Sequence, residues 1–167
     1  MEKQAVYGIV FNQNRKEILI VQRRDLPVWV LPGGGLDNGE TPEEGVMREV
    51  EEETGLQVAI VRKIAEYLPV NKMTQKTHFF ECYPIGGVLS SSPEAKKVTF
   101  FPLENLPRLP PPFSGWIKDA LANHKTVLVK PIEGVNYWVL LKLLLQHPFL
   151  VVRYFLTKIG IRFNSSS

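Results

Sequence analysis

Glu49, Glu52 and Glu53 stand at i, i+3 and i+4, behind a loop of Pro32-Gly33-Gly34-Gly35. On a helix this spacing projects all three carboxylates from one face. Uncompensated, they repel one another. A divalent cation stabilises such a face, and oxygen donors with no His or Cys cluster beside them favour Mg2+ or Mn2+ over zinc. Cations held this way can neutralise charge developing on phosphate oxygens, activate an attacking water and stabilise a leaving phosphate. An exposed acidic helix would account for the glutamates alone, but it leaves the glycine loop and Arg48 unexplained.

The surrounding residues predict the element that carries them. Pro32 to Gly35 forbid regular structure and permit close backbone approach. Thr41 is a good N-cap, Pro42 suits the first turn, Glu44 completes a T-x-x-E capping box, and Gly55 sits where a helix stops. The spacing predicts a helix over 42–54, with Val46 and Val50 burying the side opposite the carboxylates.

Taken together, Gly34, Glu40, Arg48, Glu49, Val50, Glu52, Glu53, Gly55 and Leu56 spell G-x5-E-x7-R-E-U-x-E-E-x-G-U, with U aliphatic. This resembles the complete signature of the Nudix hydrolases, and a match at this many fixed positions is far more specific than a lone glycine triplet. The resemblance implies an α/β/α sandwich with a mixed sheet. It also implies metal-dependent cleavage of a pyrophosphate linkage in a nucleoside diphosphate joined to another group. By the same resemblance Glu49, Glu52 and Glu53 carry the metals, with the Gly34 carbonyl joining them. Arg48 would hold the glutamates in register with Glu40 as partner, and Gly34, Glu40 and Gly55 are structural in the motif.

The family draws its general base from the motif or from a later loop. Glu94 is the later candidate, six residues before Phe100 in a stretch resembling the family's E-x5-aromatic-aromatic-Pro-Leu pattern; a solvated carboxylate beside Lys96 and Lys97 is the alternative. Arg23 and Arg24 follow the second predicted strand, near where the family meets substrate. Adjacent strand residues face opposite ways, so at most one of them points at the site, and Arg24 is the choice. Trp29 either packs in the core or stacks on a base. His78 and His124 lack ligand spacing and read as structural or surface residues, and Cys82 reads as a packed strand residue.

Beyond the motif, substrate signals thin out. Pro69 is near but not at the position of the ADP-ribose subgroup's proline, and Lys72-Met73-Thr74 stands where the diadenosine polyphosphate subgroup has tyrosine. Triphosphates, dinucleoside polyphosphates, nucleotide sugars and ADP-ribose all remain. The rivals are a prenyl diphosphate isomerase of the same fold, RNA 5′-end hydrolysis, and a non-catalytic nucleotide-binding or membrane-tethered module. Against the first, Cys82 lacks a supporting motif; against the third, every signature glutamate is kept.

Alternating runs predict strands over 5–11 and 17–22, joined as a hairpin by Asn12-Gln13-Asn14-Arg15, and further strands over 58–67, 77–83 and 98–101. Asn71 to Lys76 makes a polar loop suited to substrate contact. Phe113, Trp116, Ile117, Ala120 and Leu121 recur at helical spacing, which predicts an amphipathic helix on the sheet. The 167 residues, 44% hydrophobic and 22% charged, suit one folded domain rather than a disordered chain. One cysteine excludes an internal disulfide, and no secretory signal precedes the first strand, so a cytoplasmic protein is expected.

Charge divides the chain. Residues 1–124 hold 14 Lys and Arg against 16 Asp and Glu, whereas 125–167 hold 6 against 1. The basic surplus therefore belongs to the end of the chain, and no specific nucleic-acid footprint is indicated. Residues 1–124 read as the hydrolase domain and 125–167 as a basic, hydrophobic C-terminal helical extension. Pro148 divides the apolar run into two helices of about 17 Å each, too short for a ~30 Å hydrocarbon core. A single kinked span would instead bury Lys142 and Arg153 in the bilayer. The remaining readings for 134–163 are packing on the core, a homodimer contact, and a peripheral anchor on an anionic membrane surface. If it is an anchor, deleting 134–167 abolishes co-sedimentation with anionic liposomes.

Overall fold

A computed structural model describes residues 3–26, 28–136 and 138. Helix α1 (Pro42–Thr54) has the predicted bounds, because both of its ends are closed by side chains or by glycine. Thr41 Oγ1 accepts from the Glu44 N–H at 3.3 Å while the Glu44 carboxylate accepts from the Thr41 N–H at 2.9 Å. At the other end Gly55 turns left-handed at φ 75°, and its N–H donates to the Glu51 carbonyl at 2.8 Å.

Two sheets surround this helix. Strands β1 (Gln4–Val10), β4 (Gly33–Gly35), β5 (Leu56–Leu68), β6 (Lys76–Gly87) and β8 (Leu128–Pro131) form the larger one. Its order is β4-β1-β6-β5-β8, with β1 parallel to β6 and β5 parallel to β8, so the sheet is mixed. Strands β2 (Glu17–Arg23), β3 (Trp29–Val30) and β7 (Ala95–Pro102) make a second, antiparallel sheet. The predicted hairpin of the first two strands is therefore corrected. They meet at a Phe11–Ile18 bridge, beside the Asn12 N–H bond to the Glu17 carbonyl, and then part into different sheets. Val6, Ile9 and Val10 of β1 are all fully buried, which makes β1 an interior strand flanked by β4 and β6 rather than one arm of a ribbon.

Helix α1 covers one face, packing Val46 and Val50 on Val6, Val10, Val58 and Phe80. A Cβ at Gly8 would sit 3.2 Å from Val46 and 3.3 Å from Val50, so this glycine sets how near the helix lies. Helix α2 (Phe113–Leu121) covers the other face through Phe113, Trp116, Ile117 and Ala120. The Trp116 ring stacks on Tyr67 at 4.6 Å and 9°. The result is the α/β/α sandwich.

Glu81, 2% exposed on β6, pairs with Arg15 of the first turn and with Arg62 of β5 at 2.9 Å. Arg62 also donates to the Ala120 carbonyl at 3.0 Å. A buried carboxylate thus ties a turn, a strand and the end of α2 together, on charge pairing that burial makes obligatory.

Residues 128–131, grouped with the extension on charge, pair with β5, and Ile132 is buried behind them. The alternation of half-buried Leu128 and Lys130 with exposed Val129 and Pro131 is the strand signal that the basic composition obscured. The two helices expected beyond this point lie outside the described residues, and no described helix is long and apolar enough to cross a membrane.

A Cβ at Gly55 would meet the Val88 carbonyl at 2.3 Å in a backbone conformation that other residues rarely adopt. Gly55→Ala is expected to lower the unfolding free energy by roughly 1–3 kcal/mol, read by urea denaturation.

Candidate active site

The site is assembled where α1 runs past β4. Arg48 makes the central contacts. Its Nε and Nη2 donate to the two oxygens of Glu40 at 2.8 and 2.9 Å, a bidentate fork. Nη1 donates to Glu49 at 3.0 Å and Glu52 at 3.1 Å, and Nη2 reaches the Gly35 carbonyl at 3.1 Å. One guanidinium therefore spans the glycine loop, the segment before the helix and two of the three helix carboxylates.

The three glutamates sit in different surroundings. The Glu52 side chain is 61% exposed and the Glu49 side chain 15%. Glu53 is buried and accepts from the Gly33 N–H at 3.0 Å. Burial pushes the Glu53 carboxyl up to about 7; the negative fields of Glu49 and Glu94 add to this, while the Gly33 N–H and Arg23 oppose it. Burial likewise raises Glu49, against the pull of Arg48. Gly34 has a steric reason to be glycine, since a Cβ there would lie 2.7 Å from the Glu49 carboxylate. Its backbone is fixed by pairing with Val6 of β1.

Glu94, exposed in the loop before β7, contributes negative charge at both Glu49 and Glu53. Arg23 and Arg24 differ from the sequence expectation. Arg23 is the one whose charge is felt at Glu53 and at half-buried Tyr7, and it is held by Asp25 through two bonds of 2.8 and 2.7 Å. Arg24 turns away to the backbone of the Glu94 loop, its Nη2 donating to the Ser92 carbonyl at 3.2 Å. Strand parity could not decide between them, because the β2–β7 register shifts between Gln22 and Arg23. Trp29 is half-buried and packs edge-on against Phe101 at 5.1 Å. His78 is buried against Gln4 at 2.7 Å and His124 is exposed.

The donor chemistry suits a hard cation. The charge of Glu94 raises the proton affinity of Glu49 and of Glu53, and that of Glu49 raises Glu53 further, a penalty that added positive charge would remove. No group of three His, Cys, Asp or Glu among the described residues is already gathered as a metal cage. Glu49 and Glu52 are instead drawn onto Arg48, so a cation would have to share them with the guanidinium. A cavity of about 260 Å³ lies elsewhere, on the α2 side, among Tyr67, Trp116, Asp119 and Lys130. Asp119 there is already bonded to Tyr67 at 2.6 Å and Lys130 at 2.8 Å, and no signature residue lines the cavity, so it is not where the carboxylate chemistry resides.

Comparison with known proteins gives a match of the NUDIX domain family to residues 1–123. An ADP-ribose pyrophosphatase of Methanocaldococcus jannaschii is 37% identical over 115 residues, covering 63% of this chain and 64% of the relative. A MutT-like protein of Streptomyces ambofaciens is 39% identical over 99 residues, 58% of this chain and 61% of that one. The chain thus spans less than two thirds of the length of these relatives. A NUDIX hydrolase from Nitrosomonas europaea superposes with a TM-score of 0.67 at 20% identity, covering 78% of each chain, a likeness of fold.

The raised Glu53 carboxyl makes a pH prediction for protein in chelator. A raised carboxyl contributes stability below its unfolded value, and that contribution is lost as pH rises through the folded one. Unfolding free energy should fall between about pH 4.5 and about 7, by on the order of 3 kcal/mol from this group. Glu53→Gln should flatten that slope in denaturation curves collected across the range; an unchanged slope would show that another group causes it.

Proposed function

The chain belongs to the Nudix family, and from that premise we propose that it hydrolyses the pyrophosphate linkage of a nucleoside diphosphate derivative. The observation that carries this reading is the set of carboxylates crowded beside the glycine loop, one of them pushed up to about 7 by burial and by its neighbours' charge. One relative is an ADP-ribose pyrophosphatase, which keeps ADP-ribose beside triphosphates, dinucleoside polyphosphates and nucleotide sugars as substrate classes.

In this reading Glu49, Glu52, Glu53 and the Gly34 carbonyl hold Mg2+ or Mn2+. When bound, the cation supplies charge neutralisation at the phosphate oxygens and makes water a better nucleophile. The chain's own residues do the rest. Arg48 keeps Glu49 and Glu52 on one side of the helix and fastens them to the loop through Gly35. Glu94 accepts the proton of the water that attacks phosphorus, while the bridging oxygen departs with the second phosphate. Arg23, whose charge is felt at Glu53, would add positive charge for the substrate phosphates. The catalytic unit comprises residues 1–124 completed by β8, and the basic tail at 134–163 serves a contact with a second copy or an anionic membrane.

The test is a panel of ADP-ribose, diadenosine tetraphosphate, nucleoside triphosphates, nucleotide sugars and capped RNA, with and without Mg2+. Cleavage of one class that depends on the cation is expected. Glu52→Gln, at an exposed position where the fold is indifferent, should lower kcat/KM by roughly 100-fold or more. Retained activity in that variant would remove Glu52 from the metal set. No cleavage by folded, cation-binding protein would favour a nucleotide-binding module.

A further inference from the structure

The loop that carries Glu94 is fastened at both ends. At its start the Val88 N–H donates to the Gly55 carbonyl at 3.2 Å and the Ser90 N–H to the Thr54 carbonyl at 2.9 Å, so it is tied to the C-terminus of α1. At its end Arg24, the residue after β2, makes three bonds to it. The Arg24 backbone N–H donates to the Glu94 carbonyl at 2.9 Å. Its Nη2 donates to the carbonyls of Ser92 at 3.2 Å and Ala95 at 3.4 Å, the residues two before and one after the carboxylate. Inside this clasp Ser92 Oγ accepts from the N–H groups of Glu94 at 3.3 Å and Ala95 at 3.0 Å. Ala95 is fully buried and pairs with Arg23, which gives the clasp a rigid floor.

We infer that Arg24 is a positioning residue for Glu94, acting through the Ser92–Ala95 turn rather than by touching substrate. The inference rests on the reading that Glu94 works at the site. A guanidinium is suited to this because its donors lie in one rigid plane and can meet two carbonyls of the same turn, which a hydrated ammonium does less well. The physical need is evident from the exposure of Glu94: an exposed loop carboxylate has many rotamers and backbone states, and proton transfer demands a fixed distance.

The experiment measures kcat and KM of Arg24→Ala, Arg24→Lys, Arg24→Gln, Glu94→Gln and the Arg24→Ala/Glu94→Gln double variant on whichever panel substrate is cleaved. Arg24→Ala is expected to lower kcat about 10- to 100-fold at unchanged KM. Arg24→Gln, which keeps N–H donors without charge, should recover part of the loss, and these milder variants serve the same comparison if the alanine variant misfolds. In the Glu94→Gln background the Arg24 change should cost less than about twofold more, since what it positions is gone. A raised KM with intact kcat, or losses that multiply in the double variant, would overturn the inference alone. Full kcat in Glu94→Gln would overturn the base assignment and this inference with it.

Discussion

The arrangement of the site depends on one guanidinium. Arg48 collects Glu40, Glu49, Glu52 and the Gly35 carbonyl, and so joins the helix, the segment before it and the glycine loop in one hydrogen-bonded unit. Like charges on one helix face would otherwise spread apart. With the fork in place, repulsion is concentrated on the buried Glu53, which accepts from the Gly33 N–H. Stability is thus traded for a local shortage of positive charge, which is the condition under which a cation binds strongly.

Two glycines show how tightly backbone and chemistry are joined here. Gly34 leaves room for the Glu49 carboxylate, and Gly8 leaves room for Val46 and Val50, so the helix approaches the sheet closely enough for its acidic face to overhang β4. Glu49 follows Val46 by three residues and precedes Val50 by one, so the two contacts lie on neighbouring faces of the same helix, and Glu53 is buried alongside the valines rather than on the opposite side predicted from the spacing. Packing of the valines therefore sets the height of the carboxylates beside them.

Much of this was legible in the residues themselves. Helix α1 was readable to the residue because Thr41, Pro42, Glu44 and Gly55 each act locally, within one turn of the end they close. The α2 stripe and most strands were equally local. What failed depended on distant partners. The first two strands look like a hairpin until β6 and β4 claim β1, and β8 looks like part of a basic tail until β5 supplies its hydrogen bonds. The choice between Arg23 and Arg24 turned on a register shift between β2 and β7, which parity along one strand cannot reveal. The link of Glu94 to the helix glutamates rested on family resemblance, because some forty residues of chain separate them.

The strand order has a further meaning for how the molecule can be held. Strand β4, which bears the glycine loop, is one edge of the five-stranded sheet, and β8, from which the C-terminal residues depart, is the other. Four inter-strand steps of about 4.8 Å put the two edges ~19 Å apart. The two edges are nevertheless joined by a shorter route than the sheet itself. Helix α1 runs straight into β5 through Gly55, and β5 is the strand that pairs with β8, so the helix bearing the carboxylates and the last described strand share one neighbour.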